Sequence, residues 1–567
     1  MQQHWRTFMS GWVLILVGAL LAHFIQTSGG ITIKDVRFTG AGGKTLAAHL
    51  YIPPGVTPQT PAPGILAVHG YINSREVQSG FAIEFARRGY VVLAMDQAGH
   101  GYSDAPAFAN GFGGPAGLTY LRSLDFVDKD NIGLEGHSMG GWTILAAANA
   151  FPDGYKAMVL EGSSTGGSRS APGTPSWPRN VAVVFSQFDE FAPSMWQVPR
   201  GSEVGNSANL QALFGTSTPV ATDRLYGDIT QGTARILHSP PVTHPGDHIS
   251  HVAIGHALDW FAQTLDGGTP RPASDQIWFF KELGTLLALI GFVVLLCGSF
   301  NVLLATPAFA QLKNYPDTFA HTTRSGRWWL TAALSAVIPV LTFYPLMRWG
   351  GQLLGASAWL PQTITTQVAF WAVVNGLIFT AMGLVLRAAP VKFTRALLPM
   401  LLISLATVGI GYLAVLLAQF FFMIDFRFWF VGVKALSLTQ FQIMLVYLLP
   451  FTAFFLMALR ALHSGLTVFG DSRRNQYVGN VLALAGGFLA FLLLQYGSLF
   501  LVGSLLTPAE SLNTIVMIQF VPLLTIVAII STYTYRRTAS YLPGAFINAL
   551  FVSWYIVAGQ ATQFPVG

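Results

Sequence analysis

The sequence predicts an α/β domain built on a doubly wound, mostly parallel sheet, followed by an all-α domain that crosses a membrane several times. Three observations carry this. From residue 31 to about 265, short apolar strands alternate with helical stretches, and such alternation marks a parallel sheet covered on both faces. Within that stretch, Asn131-Ile-Gly-Leu-Glu-Gly-His-Ser-Met-Gly-Gly-Trp reads as a strand, a tight glycine turn and the start of a helix. Beyond about residue 282 the chain becomes a series of apolar runs about 20 residues long, the length a helix needs to cross hydrocarbon. Composition agrees, with 52% hydrophobic and 10% charged residues, against about 25% charged in ordinary soluble domains. The net charge of +6 is small for 567 residues, and no basic patch points to nucleic acid. The one cysteine, Cys297, excludes an intrachain disulfide.

Taken in order, residues 1–28 carry Arg6 and the apolar run 11–25, read as an N-terminal transmembrane signal anchor. Residues 36–38 and 46–51, separated by Gly42-Gly-Lys, form a β-hairpin that stops at Pro53-Pro54. Strands follow at 64–68, 91–96, 132–134, 156–160, 181–185 and 234–237, with helices near 76–88, 117–124 and after residue 138. A closing helix over 251–265 has Ser250 as its N-cap and Val252, Leu258, Trp260 and Phe261 as apolar positions. The domain thus spans 31–265, and the Gly/Pro-rich stretch 266–281 is a linker.

The turn after residue 134 carries Gly136-His-Ser138-Met-Gly140, a G-x-S-x-G nucleophile elbow. A serine hydroxyl is a weak nucleophile and must stand exposed where a base can reach it. Glycines two residues either side allow the strained turn, and the Met139 N–H then faces a developing oxyanion from the helix start. A second match, Gly162-Ser-Ser164-Thr-Gly166, leads into a Ser/Gly/Pro loop and lacks the helix.

Val68-His-Gly-Tyr71, Met95-Asp-Gln-Ala-Gly-His-Gly-Tyr-Ser103 and the Asn131–Gly141 stretch together resemble the α/β-hydrolase superfamily, near dienelactone hydrolases and prolyl-peptidase-like serine hydrolases. The resemblance covers roughly residues 31–265. It implies an oxyanion hole made by the Tyr71 and Met139 amides, and a triad in the chain order Ser, acid, His. The acid falls to Asp189, with Glu190 beside it, after the strand at 181–185. The segment Thr243-His244-Pro-Gly-Asp-His248-Ile-Ser-His251 offers three histidines. The family spacing favours His244 as base, His248 is the alternative, and His251 falls inside the closing helix. His69 is read as bracing the oxyanion loop. The link 162–179 is too short for a large soluble cap, and 192–233 offers at most a small lid. No cofactor is expected, and no Cys, His and carboxylate cluster has metal-ligand spacing in the sequence.

The helical transmembrane domain, 282–567, shows eight spans near 283–305, 328–347, 366–386, 396–422, 440–461, 478–503, 513–534 and 541–561. Alternate loops hold Lys313, Arg324 and Arg327, then Arg387, Lys392 and Arg395, then Arg460, Arg473 and Arg474, then Arg536 and Arg537. The opposite loops hold only Lys281, Arg348, Arg427 and Lys434. The positive-inside rule puts the richer set and the N-terminus in the cytoplasm, and the α/β domain in the periplasm or outside the cell. Carboxylates beyond residue 276 (Glu282, Asp317, Asp425, Asp471, Glu510) fall at span ends, which argues against ion-coupled transport. Asn375, Gln442, Gln495, Gln519 and Asn548 read as hydrogen-bonding residues between helices. The aromatic loop Asp425-Phe-Arg-Phe-Trp-Phe430 is read either as an interfacial belt or as a roof over the serine. The expectation is a membrane-anchored serine hydrolase acting on a lipid or other hydrophobic ester at the bilayer. An acyltransferase or peptidase using the same residues is the alternative, and a transporter with a hydrolase-like module is one of another class.

Overall fold

The computed structural model describes residues 2–167, 169–313, 323–386, 396–468 and 470–565. Asp317, Arg387, Lys392 and Arg395, used above, lie outside the described residues.

Eight strands form one sheet: β1 (Thr32–Thr39), β2 (Thr45–Ile52), β3 (Ala62–Val68), β4 (Val91–Met95), β5 (Val127–His137), β6 (Ala157–Glu161), β7 (Val181–Val184) and β8 (Arg235–His238). Their spatial order is β1-β2-β4-β3-β5-β6-β7-β8. The β1–β2 and β2–β4 pairs are antiparallel and the rest are parallel. The N-terminal span is α1 (Gln2–Gln26). The helices on the sheet are α2 (Ser79–Arg87), α3 (Gly114–Ser123), α4 (Met139–Ala150), the short α5 (Ala192–Met195), α6 (Ala208–Phe214) and α7 (His251–Thr264). Strand β3 is buried along its whole length, which is why it reads as an unbroken apolar run. Its side chains alternate between two cores: Leu66 and Val68 pack with Ile144 and Leu121, Ile65 and Ala67 with Phe81 and Phe261. Ser250 Oγ accepts the Ala253 N–H at 3.1 Å and caps α7.

The second half is helical: α8 (Trp278–Leu304), α9 (Gly326–Leu341), α10 (Phe343–Leu353), α11 (Thr363–Val385), α12 (Leu397–Phe422), α13 (Leu438–Leu466), α14 (Arg473–Val502), α15 (Ser511–Thr538) and α16 (Leu542–Gly559), with a two-stranded hairpin β9 (Phe426–Phe428) and β10 (Val431–Val433) between α12 and α13. Among the described residues eight helices are long and apolar enough to cross a membrane, and nine if α9 and α10 form one span bent by 48°. The run read as one straight span at 328–347 is this bent pair. Pro339 lies in the last turn of α9, where its missing N–H and ring weaken the helix.

Helix α1 packs along α8 through small residues. A Cβ on Gly18 would lie 2.4 Å from the Gly284 carbonyl oxygen, and one on Gly298 would lie 2.5 Å from the Phe8 Cα. Glycines at this contact let the two backbones approach, as in small-xxx-small membrane packing. Asn375, Gln495, Gln519 and Asn548 each bond to a neighbouring helix or its flanking turn. Gln442 does not. It is exposed and has no hydrogen-bond partner among the described residues, so the reading of it as an inter-helix residue is corrected.

The halves are joined by buried polar contacts. Lys434 Nζ lies 3.0 Å from Glu76 Oε2, and the Arg427 guanidinium lies 3.9 Å from the same oxygen. Tyr102 donates to the Ala435 carbonyl at 2.8 Å. After α16, Thr562 exchanges backbone bonds with Gly99 and Ala107, each 2.8 Å long.

Candidate active site

Strand β5 delivers His137 to the sheet's C-terminal edge, and α4 begins at Met139. Between them Ser138 takes φ 54°, ψ −120°, a strained conformation for a residue with a side chain. The flanking glycines are required sterically. A Cβ on Gly136 would sit 2.4 Å from the Gly140 carbonyl carbon, and one on Gly140 would sit 2.1 Å from the Val68 carbonyl oxygen. As the first residue of α4, Met139 has no intrahelical acceptor for its N–H. Ser163, from the second serine motif, donates to the Ser138 carbonyl at 2.7 Å and so supports the turn.

Ser138, Met139, Tyr71, His244 and His248 all line one cavity of about 480 Å³. His244 opens a short 3-10 turn, His244–Ile249, six residues beyond the end of β8. Its Nδ1 lies 2.8 Å from Asp189 Oδ2. Asp189 Oδ1 accepts the Phe191 N–H at 2.7 Å. Burial, and then the nearby Asp247, push the Asp189 carboxyl well up, against the Phe191 N–H bond that favours its ionised form. Burial holds the His244 imidazole down to about 4, with Asp247 opposing, so the ring is neutral at neutral pH. Among the described residues Ser138 Oγ makes no hydrogen bond to His244, although the two share the cavity; unliganded sites often close such contacts only around substrate.

His248 also reaches the cavity, but its Nε2 lies 3.2 Å from Gln78 Oε1. Gln78 in turn donates to both Glu135 oxygens. Of the two histidines, the one carrying a carboxylate partner on Nδ1 is His244. His251 lies in α7 against Trp278. His69 Nδ1 lies 2.7 Å from the Gly70 carbonyl, and its Nε2 accepts the Gln97 N–H, in keeping with a brace behind Tyr71.

Sequence reasoning missed the supporting shell. His137, next to the serine, contacts the His244 carbonyl at 2.9 Å and lies against the His248 ring, with centroids 4.0 Å apart and planes tilted by 58°. Asp247 accepts from Ser186 at 2.5 Å. Glu190 Oε2 accepts the His244 N–H at 2.8 Å, and Glu190 Oε1 accepts from Tyr496 of α14 at 2.8 Å. Burial, and then Asp189, push the Glu190 carboxyl up to about 8.

The helical half contributes to the cover of the site. Segment 192–233 supplies only Ser194 and Met195 to the cavity, whereas Thr363, Phe430, Leu512, Ile515, Gln519 and Gln563 come from the helical half. The 425–430 loop is part of this cover. Trp429 Nε1 donates to the Pro245 carbonyl at 2.6 Å, one residue from His244.

Residues 63–209 match the family model of the alpha/beta hydrolase fold. The first half of the chain is therefore an α/β hydrolase by fold, and a helical, multi-pass half follows it. A monoacylglycerol lipase of Mycolicibacterium smegmatis is 31% identical over 140 residues, 23% of this chain and 47% of the lipase. An uncharacterized protein of Mycobacterium tuberculosis is 31% identical over 106 residues, 17% of this chain and 28% of that protein. The chain thus spans about half, or less, of the length of the curated relatives it matches. Among solved structures, an alpha/beta hydrolase from Penicillium sp. is 15% identical with a TM-score of 0.30, covering 42% of this chain and 100% of its own. A dienelactone hydrolase-like promiscuous phosphotriesterase from metagenomic libraries is 15% identical with a TM-score of 0.30, covering 41% and 99%.

Proposed function

We propose that the protein is a membrane-anchored serine hydrolase that cleaves a hydrophobic acyl ester through Ser138, His244 and Asp189. The observation that carries this is the 2.8 Å His244–Asp189 contact beside a strained serine elbow, inside one cavity. Neutral His244 takes the Ser138 proton as Oγ attacks the ester carbonyl. The tetrahedral oxyanion is held by the Tyr71 and Met139 N–H groups; removing one such donor costs about 3–4 kcal/mol of transition-state stabilisation in known cases. Protonated His244 gives its proton to the leaving alkoxide, which departs as the alcohol. Water then attacks the acyl-enzyme, His244 accepts its proton, and the acid leaves as Ser138 Oγ is reprotonated. Asp189 holds the imidazole with Nε2 toward the serine.

The walls of the cavity support the hydrophobic substrate class. Phe430, Leu512 and Ile515 of the helical half and Phe108, Trp142 and Phe191 of the α/β half line the cavity. A site tethered at a bilayer and walled this way suits a lipid ester, in keeping with the monoacylglycerol lipase among its relatives. The loop charges, by the positive-inside rule, support a site at the outer face of the cytoplasmic membrane. The test is labelling of the full-length protein in detergent with a fluorophosphonate, comparing wild type with Ser138→Ala, His244→Ala and His248→Ala. Labelling lost in the first two and kept in the third is the expected result. An unlabelled wild type, or loss confined to His248→Ala among the histidine variants, overturns the assignment.

A further inference from the structure

Away from the serine cavity, three side chains on three different elements converge. Asp223 lies in the loop between α6 and β8, His238 is the last residue of β8, and His256 lies in α7. One ligand-capable atom from each lies within 4.8 Å of the other two. His238 Nδ1 is 2.6 Å from Asp223 Oδ1. The His238 and His256 rings lie face to face, 3.9 Å apart and 12° from parallel.

We propose that Asp223, His238 and His256 form a binding site for a divalent transition-metal ion of the zinc class, with water completing the coordination. Two imidazoles and one carboxylate make an N2O donor set, which suits Zn2+ and its neighbours; Ca2+ and Mg2+ prefer all-oxygen sites. In a tetrahedral zinc site with bonds near 2.0–2.1 Å, ligand atoms stand about 3.4 Å apart, so the cluster closes around an ion once one imidazole turns out of the parallel stack and both ring lone pairs converge. A surface His–Asp ion pair accounts for His238 and Asp223 but not for His256. The His256 ring makes no hydrogen bond among the described residues and stacks on a second imidazole. Asp223 pairs with no other cation among the described residues, and the neighbouring Arg224 is turned over the Tyr226 ring at 5.1 Å. The Asp223 side chain is 69% exposed, which leaves an entry path. With the ion on His238 Nδ1, the ring's single proton sits on Nε2 and the imidazole stays neutral. The ion then ties the end of β8 to α7, six residues before His244.

The experiment uses the full chain in detergent, free of any histidine tag and stripped with EDTA. Zn2+ is titrated calorimetrically and Co2+ by visible absorption, for wild type, His256→Gln and Asp223→Asn. The expected result is one equivalent bound by wild type, with Zn2+ raising the melting temperature. Both variants should bind about 100-fold more weakly or not at all, and lose that shift. Circular dichroism and gel filtration confirm that the variants are folded; His256→Gln places a good helix former on a half-buried helix position. No binding by wild type overturns the proposal. So does binding that survives in either folded variant, which would place the ion elsewhere, for instance at His137, His244 and His248.

Discussion

If the helical half forms part of the acyl-binding wall, shortening its side chains must discriminate between long and short esters. Leu512 and Ile515 lie three residues apart on α15 and both line the cavity, with Ile515 only 8% exposed. Replacing each by alanine removes three carbons, worth about 0.8 kcal/mol apiece when fully covered by substrate. Only the cavity-facing half of each side chain meets an acyl chain, so about 1.2 kcal/mol per residue is lost, and about 2.4 kcal/mol for the pair. At 1.36 kcal/mol per decade this is a roughly 60-fold fall in kcat/KM. The fall should appear for p-nitrophenyl decanoate and be no more than about twofold for the butyrate, whose chain is too short to gain from this wall. Both esters are assayed on the full-length double variant in the same detergent, alongside its melting curve. Equal loss on both esters at unchanged stability, or no loss on the decanoate, would refute the wall.

Three further outcomes follow from the same geometry. Gly140→Ala forces a Cβ to within 2.1 Å of the Val68 carbonyl oxygen; displacing the α4 start by about 1 Å should cut kcat by about 100-fold or more, and a variant within threefold of wild type counts against the elbow. In the proposed reaction neutral His244 is the base, and its folded pKa is depressed to about 4, so kcat/KM should be level from neutral pH down to about 5 and fall as pH drops through about 4. A midpoint near 6.5, the value of a free histidine, would contradict this. Tyr496→Phe removes the hydroxyl that donates to Glu190 at 2.8 Å and leaves a buried carboxyl oxygen without its partner, at about 1.5–3 kcal/mol. Melting temperature and kcat should both drop while KM for the butyrate holds, and an unchanged kcat would sever Tyr496 from the histidine segment.

What the sequence made legible was local. The eight strands, the elbow and the spans are each written in contiguous residues, as apolar runs, glycines and helix caps. Ser138 was visible because its chemistry constrains its immediate neighbours; Gly136 and Gly140 have no room for a Cβ. Asp189 and His244 came from chain order carried over by resemblance, and only the structure reports the 2.8 Å contact between them. The contacts that cover the site join residues such as 190 with 496 and 245 with 429, and no periodicity encodes a pairing across hundreds of residues. The Asp223–His238–His256 cluster escaped for the same reason. Its members are 15 and 18 residues apart, far from the short spacings by which metal ligands are recognised in a sequence.

The fastening of the two halves bears on why a hydrolase should carry so many spans. A single anchor such as α1 would suffice for tethering. Here Glu190 accepts from the His244 backbone on one side and from Tyr496 on the other, and Ser511 of α15 holds the Glu190 carbonyl at 2.7 Å. Trp429 holds the Pro245 carbonyl from the opposite side of the same segment. The stretch bearing the histidine is thus pinned by three elements of the helical half, while Ser138 is held from within the α/β half, by the sheet, α4 and the Ser163 hydroxyl. Buried polar contacts of this kind leave unpaired groups behind when one partner is withdrawn, so separating the halves disturbs the position of His244 before it disturbs the serine. Under the proposed reaction the spans then belong to the catalytic assembly, and the α/β domain produced alone should retain its sheet and elbow while losing the alignment of the proposed base.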